Sequence, residues 1–351
     1  MRFIFSLLLC LPMTVMAAQV ADLYIGDVPV ASRSNADQQR AIRDALSQVL
    51  VRVTGDATVA TLPEAQSLLR NANNVLLSYS YQGGAPLHLE VRFDGQQINQ
   101  QLRAASLPIW GAQRPQTLIW LAMDDENNGR MLLSDTTAET EVLDADAAKR
   151  GLPLTLPLLD LEDTMAVSIN DVWGNFVGPI AQASARYHPD FFLSGRVAQQ
   201  DGQWAYQMSL FAPKKESEYG LHRSLVRRDG LAPTREAAIS SMMADLASYY
   251  AGRYAAVAGE AGGSSQMVFE LNGGIEQLVA LERYLRSLAP IQDLTIHSVV
   301  GRTITFDLDL IGGISELQQL LSLESRVEEV EPVDTFEQDL GDQPRYRWAD
   351  R

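Results

Sequence analysis

The segment Leu271-Asn272-Gly273-Gly274-Ile275-Glu276-Gln277-Leu278 recurs 39 residues later as Leu310-Ile311-Gly312-Gly313-Ile314-Ser315-Glu316-Leu317. A repeat of this size is one supersecondary unit used twice. Each copy reads as strand, double glycine, helix, strand: Met267 to Leu271, Ile275 to Leu288 and Leu294 to Val299, then Ile304 to Leu310, Ile314 to Leu321 and Arg326 to Val330. Two such units in tandem predict a ferredoxin-like βαββαβ sandwich over residues 266–331, four strands under two helices, with right-handed crossovers. In its third strand Ile304, Phe306, Leu308 and Leu310 alternate with Thr303, Thr305, Asp307 and Asp309, so helices cover one face and the other stays polar. Gly274 and Gly313 are expected at strand-to-helix turns where a side chain would clash or need an unfavourable φ.

The rest of the chain divides around two linker-like stretches. Leu107 to Pro115 carries Pro108, Gly111 and Pro115, and Ala258 to Ser265 is rich in small residues. Residues 18–107 read as an α+β module of order βααββα, whose first helix begins at Ser34 and ends at Gly55. Residues 115–257 read as an α/β module. It has a buried strand from Thr117 to Met123, a helix from Ala138 to Arg150, and one long helix from Ile169 to Tyr187. A hairpin turning at Asp201-Gly202 follows, then a strand around Leu221 to Arg227, and a closing helix striped with Ile239, Met242, Met243, Leu246, Tyr250 and Tyr254. Residues 332–351 read as a C-terminal tail or edge strand. The fold class is α+β with α/β character, in three small modules whose flexible joints let them shift.

Arg2 precedes an apolar run from Ile4 to Val15, and Val15-Met16-Ala17 supplies small or β-branched residues at the cleavage positions, the signature of a secretory signal over residues 1–17. Cys10, the only cysteine, lies inside it, and Leu9 in front of it disfavours lipid anchoring at Cys10. The mature chain is then periplasmic, has no disulfide or thiol chemistry, and holds no segment long and apolar enough to span a membrane. A formal net charge of −16 opposes nucleic-acid binding.

No residue set names a reaction. His88, His188, His222 and His297 lack metal-ligand spacing, and neither double glycine is followed by the lysine of a phosphate loop. Asp124, Glu126, Asn128 and Asp135 approach the spacing of a calcium loop, but the closing ligand is not a glutamate and a strand precedes them, so a solvated loop is the better reading. No cofactor is expected. On the bare face of the repeat module Glu270, Thr303, Thr305, Asp307 and Asp309 form an acidic, hydroxyl-rich surface that would favour a basic partner, with His297 beside it. Equally, this face would pack on the middle module or on the C-terminal strand around Tyr346 and Trp348.

Leu23-Tyr24-Ile25-Gly26-Asp27-Val28-Pro29-Val30, the helix end Val49-Leu50-Val51-Arg52-Val53-Thr54-Gly55, and Ile119-Trp120-Leu121-Ala122 resemble the secreted bacterial proteins grouped as domain of unknown function 2066. Ala185-Arg186-Tyr187-His188-Pro189-Asp190-Phe191-Phe192-Leu193-Ser194-Gly195-Arg196-Val197 and Asp201-Gly202-Gln203-Trp204 are similar to the TolB amino-terminal domain and to peptidoglycan synthase activator lipoproteins. The first resemblance implies an exported envelope protein without an assigned activity, and the second implies a binding module. Together they point to a non-enzymatic binding or scaffold protein for another periplasmic or outer-membrane component, or for the cell wall. The alternative is a periplasmic hydrolase acting on cell-wall or carbohydrate substrate. Mass spectrometry of the exported protein should find its first residue at Ala18 or one position later; a chain beginning at Met1, or lipid on Cys10, would contradict the export reading.

Overall fold

The Ser34 hydroxyl accepts a hydrogen bond from the Asp37 amide and opens the first helix. Gly55, at φ 70°, closes it by returning its N–H to Val51. In the computed structural model, which describes residues 22–125, 129–135, 137–213, 222–257, 263–324, 326–330 and 344–349, this helix is the spine of the first module. The signal segment and Cys10 lie outside the described residues. The module runs β1 (Ile25–Val30), α1 (Asn35–Thr54), α2 (Pro63–Arg70), β2 (Leu76–Gln82), β3 (Leu87–Phe93) and α3 (Gly95–Ala104), the order the sequence predicts. Its antiparallel sheet is ordered β1-β3-β2, and α1 buries Ala41, Ile42, Ala45, Leu46, Val49, Leu50 and Val53. The approach is so close that a Cβ on Gly26 would sit 2.6 Å from the Ala45 carbonyl oxygen.

The middle module follows as β4 (Thr117–Asp125), β5 (Gly129–Leu132), α4 (Ala138–Arg150), β6 (Leu154–Thr155), α5 (Leu161–Ala166), α6 (Ile169–Trp173) and α7 (Val177–Ser184). It ends with β7 (Phe191–Gln200), β8 (Gln203–Phe211), β9 (Ser224–Ala232) and α8 (Arg235–Tyr254). The sheet is ordered β5-β4-β7-β8-β9, with β6 also on β4. Alternate β4 residues feed two cores, Ile119, Leu121 and Met123 on the α8 side and Leu118, Trp120 and Ala122 on the α6–α7 side. The single helix expected over 169–187 is broken instead. Asn175 takes a positive φ of 55°, and Pro179 is tolerated only because a new helix starts just before it.

The third module is β10 (Ser264–Leu271), α9 (Ile275–Ser287), β11 (Ile291–Val300), β12 (Thr303–Leu310), α10 (Ile314–Leu321), β13 (Val327–Val330) and β14 (Arg345–Trp348). The sheet order is β11-β12-β10-β14-β13. The β11-β12-β10 ladder is antiparallel, as a ferredoxin-like sandwich requires, but β14 enters parallel to β10 and pushes β13 to the outside. The C-terminal segment is therefore an inner strand, neither a tail nor an edge. Burial decides the competition. Tyr346 and Trp348 are almost fully buried, their rings 5.5 Å from Phe269 and 5.4 Å from Tyr284, whereas Val327-Glu328-Glu329-Val330 has little to bury. Gly274 and Gly313 do precede the two helices, but at negative φ, and a Cβ on Gly274 would meet open space. A Cβ on Gly313 would lie 2.7 Å from the Glu316 carboxylate, the clash expected there, and a further demand for glycine falls one residue earlier in each copy. Gly312 has φ 88°, and a Cβ on Gly273 would strike the Gln277 side chain.

Leu107 to Pro115 is not a flexible joint. Ile109 belongs to the first module's core, and its backbone pairs with Ala256 through N–H···O contacts of 2.9 and 3.0 Å. Trp110 is fully buried in a core that runs unbroken through the middle and third modules. Gly111 lies against Ala289 of the third module. Arg114, also buried, donates from Nη1 to the carbonyls of Arg150 (2.8 Å) and Gly151 (3.0 Å), from Nη2 to Arg52 (2.6 Å) and Trp110 (2.9 Å), and from Nε to Gly111 (2.9 Å). Its guanidinium lies 3.8 Å from the centre of the Trp110 ring. Burial, with Arg52 nearby, lowers its pKa to about 9, so it stays a cation at neutral pH. That charge sits where α1 and α4 end, at the negative poles of both helices. Among the described residues no helix is long and apolar enough to cross a membrane.

Replacing Arg114 with Met keeps much of the volume and leaves five carbonyls without their donor. Urea denaturation of Arg114→Met should show a loss of about 3 kcal/mol or more. Arg114→Lys, with a charge but no planar fork, should recover less than half of it. An unchanged midpoint would show that the cluster is not holding the junction.

Candidate functional site

The third module's sheet carries its polar face on alternate positions of β10, β12 and β14. Register places Glu270 opposite Thr303 and Arg347, Val268 opposite Thr305 and Arg345, and Gln266 opposite Asp307. The expected surface residues Glu270, Thr303, Thr305, Asp307 and Asp309 thus share one face, with two differences. Thr305 and Val268 are buried, which closes the middle of the surface to solvent. The inner strand β14 adds Arg345 and Arg347, and Arg347 Nη2 reaches a Glu270 oxygen at 3.3 Å. The face is mixed in charge, so the purely acidic surface expected from sequence is corrected. The alternation Arg345-Tyr346-Arg347-Trp348, with a polar and an aromatic side, is a strand signature that could have revealed the two arginines.

Asp307 accepts from Gln266 Nε2 at 2.7 Å and lies 2.9 Å from His297 Nδ1. These hydrogen bonds, Gln266 first and His297 second, hold its carboxyl below the usual aspartate value. Glu270 does not join them. Thr303, its cross-strand partner, is four residues from Asp307, about 13 Å along the strand. Among the described residues no group of three or more His, Cys, Asp or Glu could hold a metal ion.

Of the calcium candidates, Glu126 and Asn128 lie outside the described residues. Asp124 sits in β4 opposite Arg130, and the arms of this hairpin remain paired as far back as Leu121 and Leu133. The strand therefore carries Asp135 about 10 Å or more from Asp124, and the two do not close one loop.

The outer strand of the same sheet exposes apolar side chains that composition had hidden. On β11, Ile296, Val299 and Val300 are 44%, 57% and 73% exposed. Elsewhere, a cleft of about 830 Å³ lies where β1 of the first module meets α4 of the middle one, lined by Asp22, Asp27, Glu90, Arg52, Arg92 and Lys149. There Arg52 Nη1 donates to the Asp22 and Ile25 carbonyls and Gln48 Oε1 accepts from the Asp27 amide, so α1 side chains shield the β1 edge. Asp27 and Glu90 face each other across β1 and β3, and His88 Nδ1 lies 3.2 Å from Asp27.

Residues 262–342, the repeat module through most of the C-terminal segment, match the family DUF2066. The chain resembles the DUF2066 family. Residues 17–111 match a second family, a domain of unknown function (DUF8605), so Leu23–Val30 and Val49–Gly55 fall in that segment and outside the DUF2066 match. Among solved structures, TolB from Acinetobacter baumannii shares 13% identity over 46% of this chain and 33% of its own, with a TM-score of 0.25. The LpoB C-terminal domain from Salmonella enterica shares 16% identity over 39% of this chain and 93% of its own, with a TM-score of 0.23. This chain spans about a third of the TolB chain. No curated protein matches it.

The Asp307 carboxyl should titrate below 3.8, the ordinary value for aspartate. Because the folded value is depressed, its contribution to stability is present above 3.8 and is lost as pH falls through the folded value. Carbon-detected NMR titration should show this, and Gln266→Ala should move the midpoint back toward the ordinary value. A midpoint unmoved by that change would dismiss the hydrogen bond as the cause.

Proposed function

We propose that this is an exported protein of the cell envelope that binds another envelope protein, or the cell wall, and catalyses no reaction, with the third module's sheet as the docking element. The exposed apolar side chains Ile296, Val299 and Val300 on its outer strand carry the reading, since a strand edge bearing such residues is costly to leave in water and is normally shielded. The adjoining face, with Glu270, Asp307 and Asp309 set against Arg345 and Arg347, supplies charges of both signs. These fix orientation and make association sensitive to salt. The signal-like N-terminus and the resemblance to a secreted family support the location.

A hydrolase remains the second reading, because Asp27 and Glu90 are cross-strand neighbours inside a cleft and paired carboxylates at that spacing can serve acid–base chemistry. A photo-crosslinking residue placed in turn at Val300, Asp309 and the distant Glu64, in intact cells, separates the two. A discrete adduct from Val300 and Asp309, absent from Glu64 and reduced by salt in isolated envelopes, is expected. Equal labelling at all three positions, together with hydrolysis of purified cell wall that Asp27→Asn abolishes, would move the function to the cleft.

A further inference from the structure

The edge strand β11 does not stand alone, because α9 runs antiparallel beside it. Arg286 near the end of α9 donates from Nη2 to the Leu294 carbonyl at 2.7 Å, which fixes the two elements side by side at that level. Counting back from this contact, the helix rises about 1.5 Å per residue and the strand about 3.3 Å. Val279 comes level with about His297, and Ile275 with about Val299. Ile275 and Val279 are 76% and 47% exposed, and the α9 stripe continues through Glu282 and Arg283 to Arg286. Ile296 and Val299 pair with the buried Phe306 and Ile304, which puts them on the helix side of the sheet. Two lines of exposed apolar side chains therefore border one groove, with the outer backbone edge of β11 as its rim.

The rim is capped at Leu294 by Arg286. Among the described residues nothing bonds the outer edge from Thr295 to Val300. Water satisfies such a row until another extended backbone replaces it, and the row is a template for one. Charge narrows the occupant further. Glu282 and Asp293 both pair with Arg286, leaving Arg283 without an ion pair among the described residues, about level with Thr295. A second copy pairing edge to edge through this short stretch would bring the two Arg283 side chains toward each other, which like charge opposes.

Resting on the third module as docking element, we infer that the groove between β11 and α9 binds an extended segment of a partner protein by strand addition, with alternate apolar side chains filling the groove and a carboxylate meeting Arg283. The segment adds a sixth strand outside β11. Its backbone supplies affinity, and Ile275, Val279, Ile296 and Val299 with Arg283 supply selection.

The probe is a fluorescein-labelled blocked peptide, Val-Thr-Val-Thr-Glu-Thr-Val, whose glutamate shares one face with its three valines, titrated against the full exported chain by anisotropy, beside a twin carrying Lys in place of Glu. The Glu peptide should bind at least about tenfold tighter than its twin, Arg283→Glu should invert that order, and hydrogen exchange should show new protection at Val299, whose amide faces away from β12. Val299→Asp should abolish binding; Arg283→Glu, an exposed change far from the core, carries the test where Val299→Asp melts early. Absent binding, equal affinity for the twins, or protection away from β11 would overturn the inference. So would a dimer dispersed by Val299→Asp, which would give the groove to a second copy. If the Val300 adduct persists in cells while the peptide fails, strand addition falls and docking stands; if both fail, both fall.

Discussion

A single guanidinium closes the joint on which the rest of the molecule depends. Among the described residues Arg114 has no carboxylate partner. It is held by five backbone carbonyls drawn from the end of α1, the end of α4 and its own segment, with the Trp110 ring beneath it. Burying a charge this deeply costs several kcal/mol on general grounds, and only a full set of acceptors at the negative ends of two helices makes the position tenable. Arginine suits it because a planar fork can serve three directions at once, which an ammonium cannot.

From that joint the architecture follows. Trp110 enters the core shared by the middle and third modules, Ile109 enters the first module's core, and Gly111 touches Ala289, so all three modules meet over a few residues. Gly55 tightens the same junction, since a Cβ there would collide with Ala251 of α8. Modules fused in this way present their surfaces in fixed relation. On the proposed reading, the polar face and outer edge of the third module then act as one docking surface while the interior stays closed.

Much of this was legible from the chain. The glycine repeat foretold both βαβ halves, the α1 pattern from Ala41 to Val53 foretold the first core, and Asp201-Gly202 foretold the β7–β8 turn, where both residues take positive φ. What escaped notice depended on competition between distant segments. Periodicity shows that Arg345-Tyr346-Arg347-Trp348 is a strand; it does not show that two aromatic rings will outbid Val327 to Val330 for the place beside β10. Pro108, Gly111 and Pro115 announce an irregular backbone correctly, yet irregular backbone can be buried once a side chain such as Arg114 satisfies its carbonyls. The proposed partner surface was half visible for the same reason. Glu270, Asp307 and Asp309 follow from alternation within β10 and β12, while Arg345 and Arg347 arrive from the far end of the chain, and the exposure of Ile296 and Val299 depends on how far α9 reaches.

Native-state hydrogen exchange tests the account most directly, because it reads the closed joint and the open edge in one experiment. The amides of Ile109, Trp110 and Ala256 should exchange only through global unfolding, whereas the amide of Val299, turned away from β12 on the outer side of β11, should exchange quickly. Junction amides exchanging at loop rates, or a β11 edge as protected as β12, would contradict it.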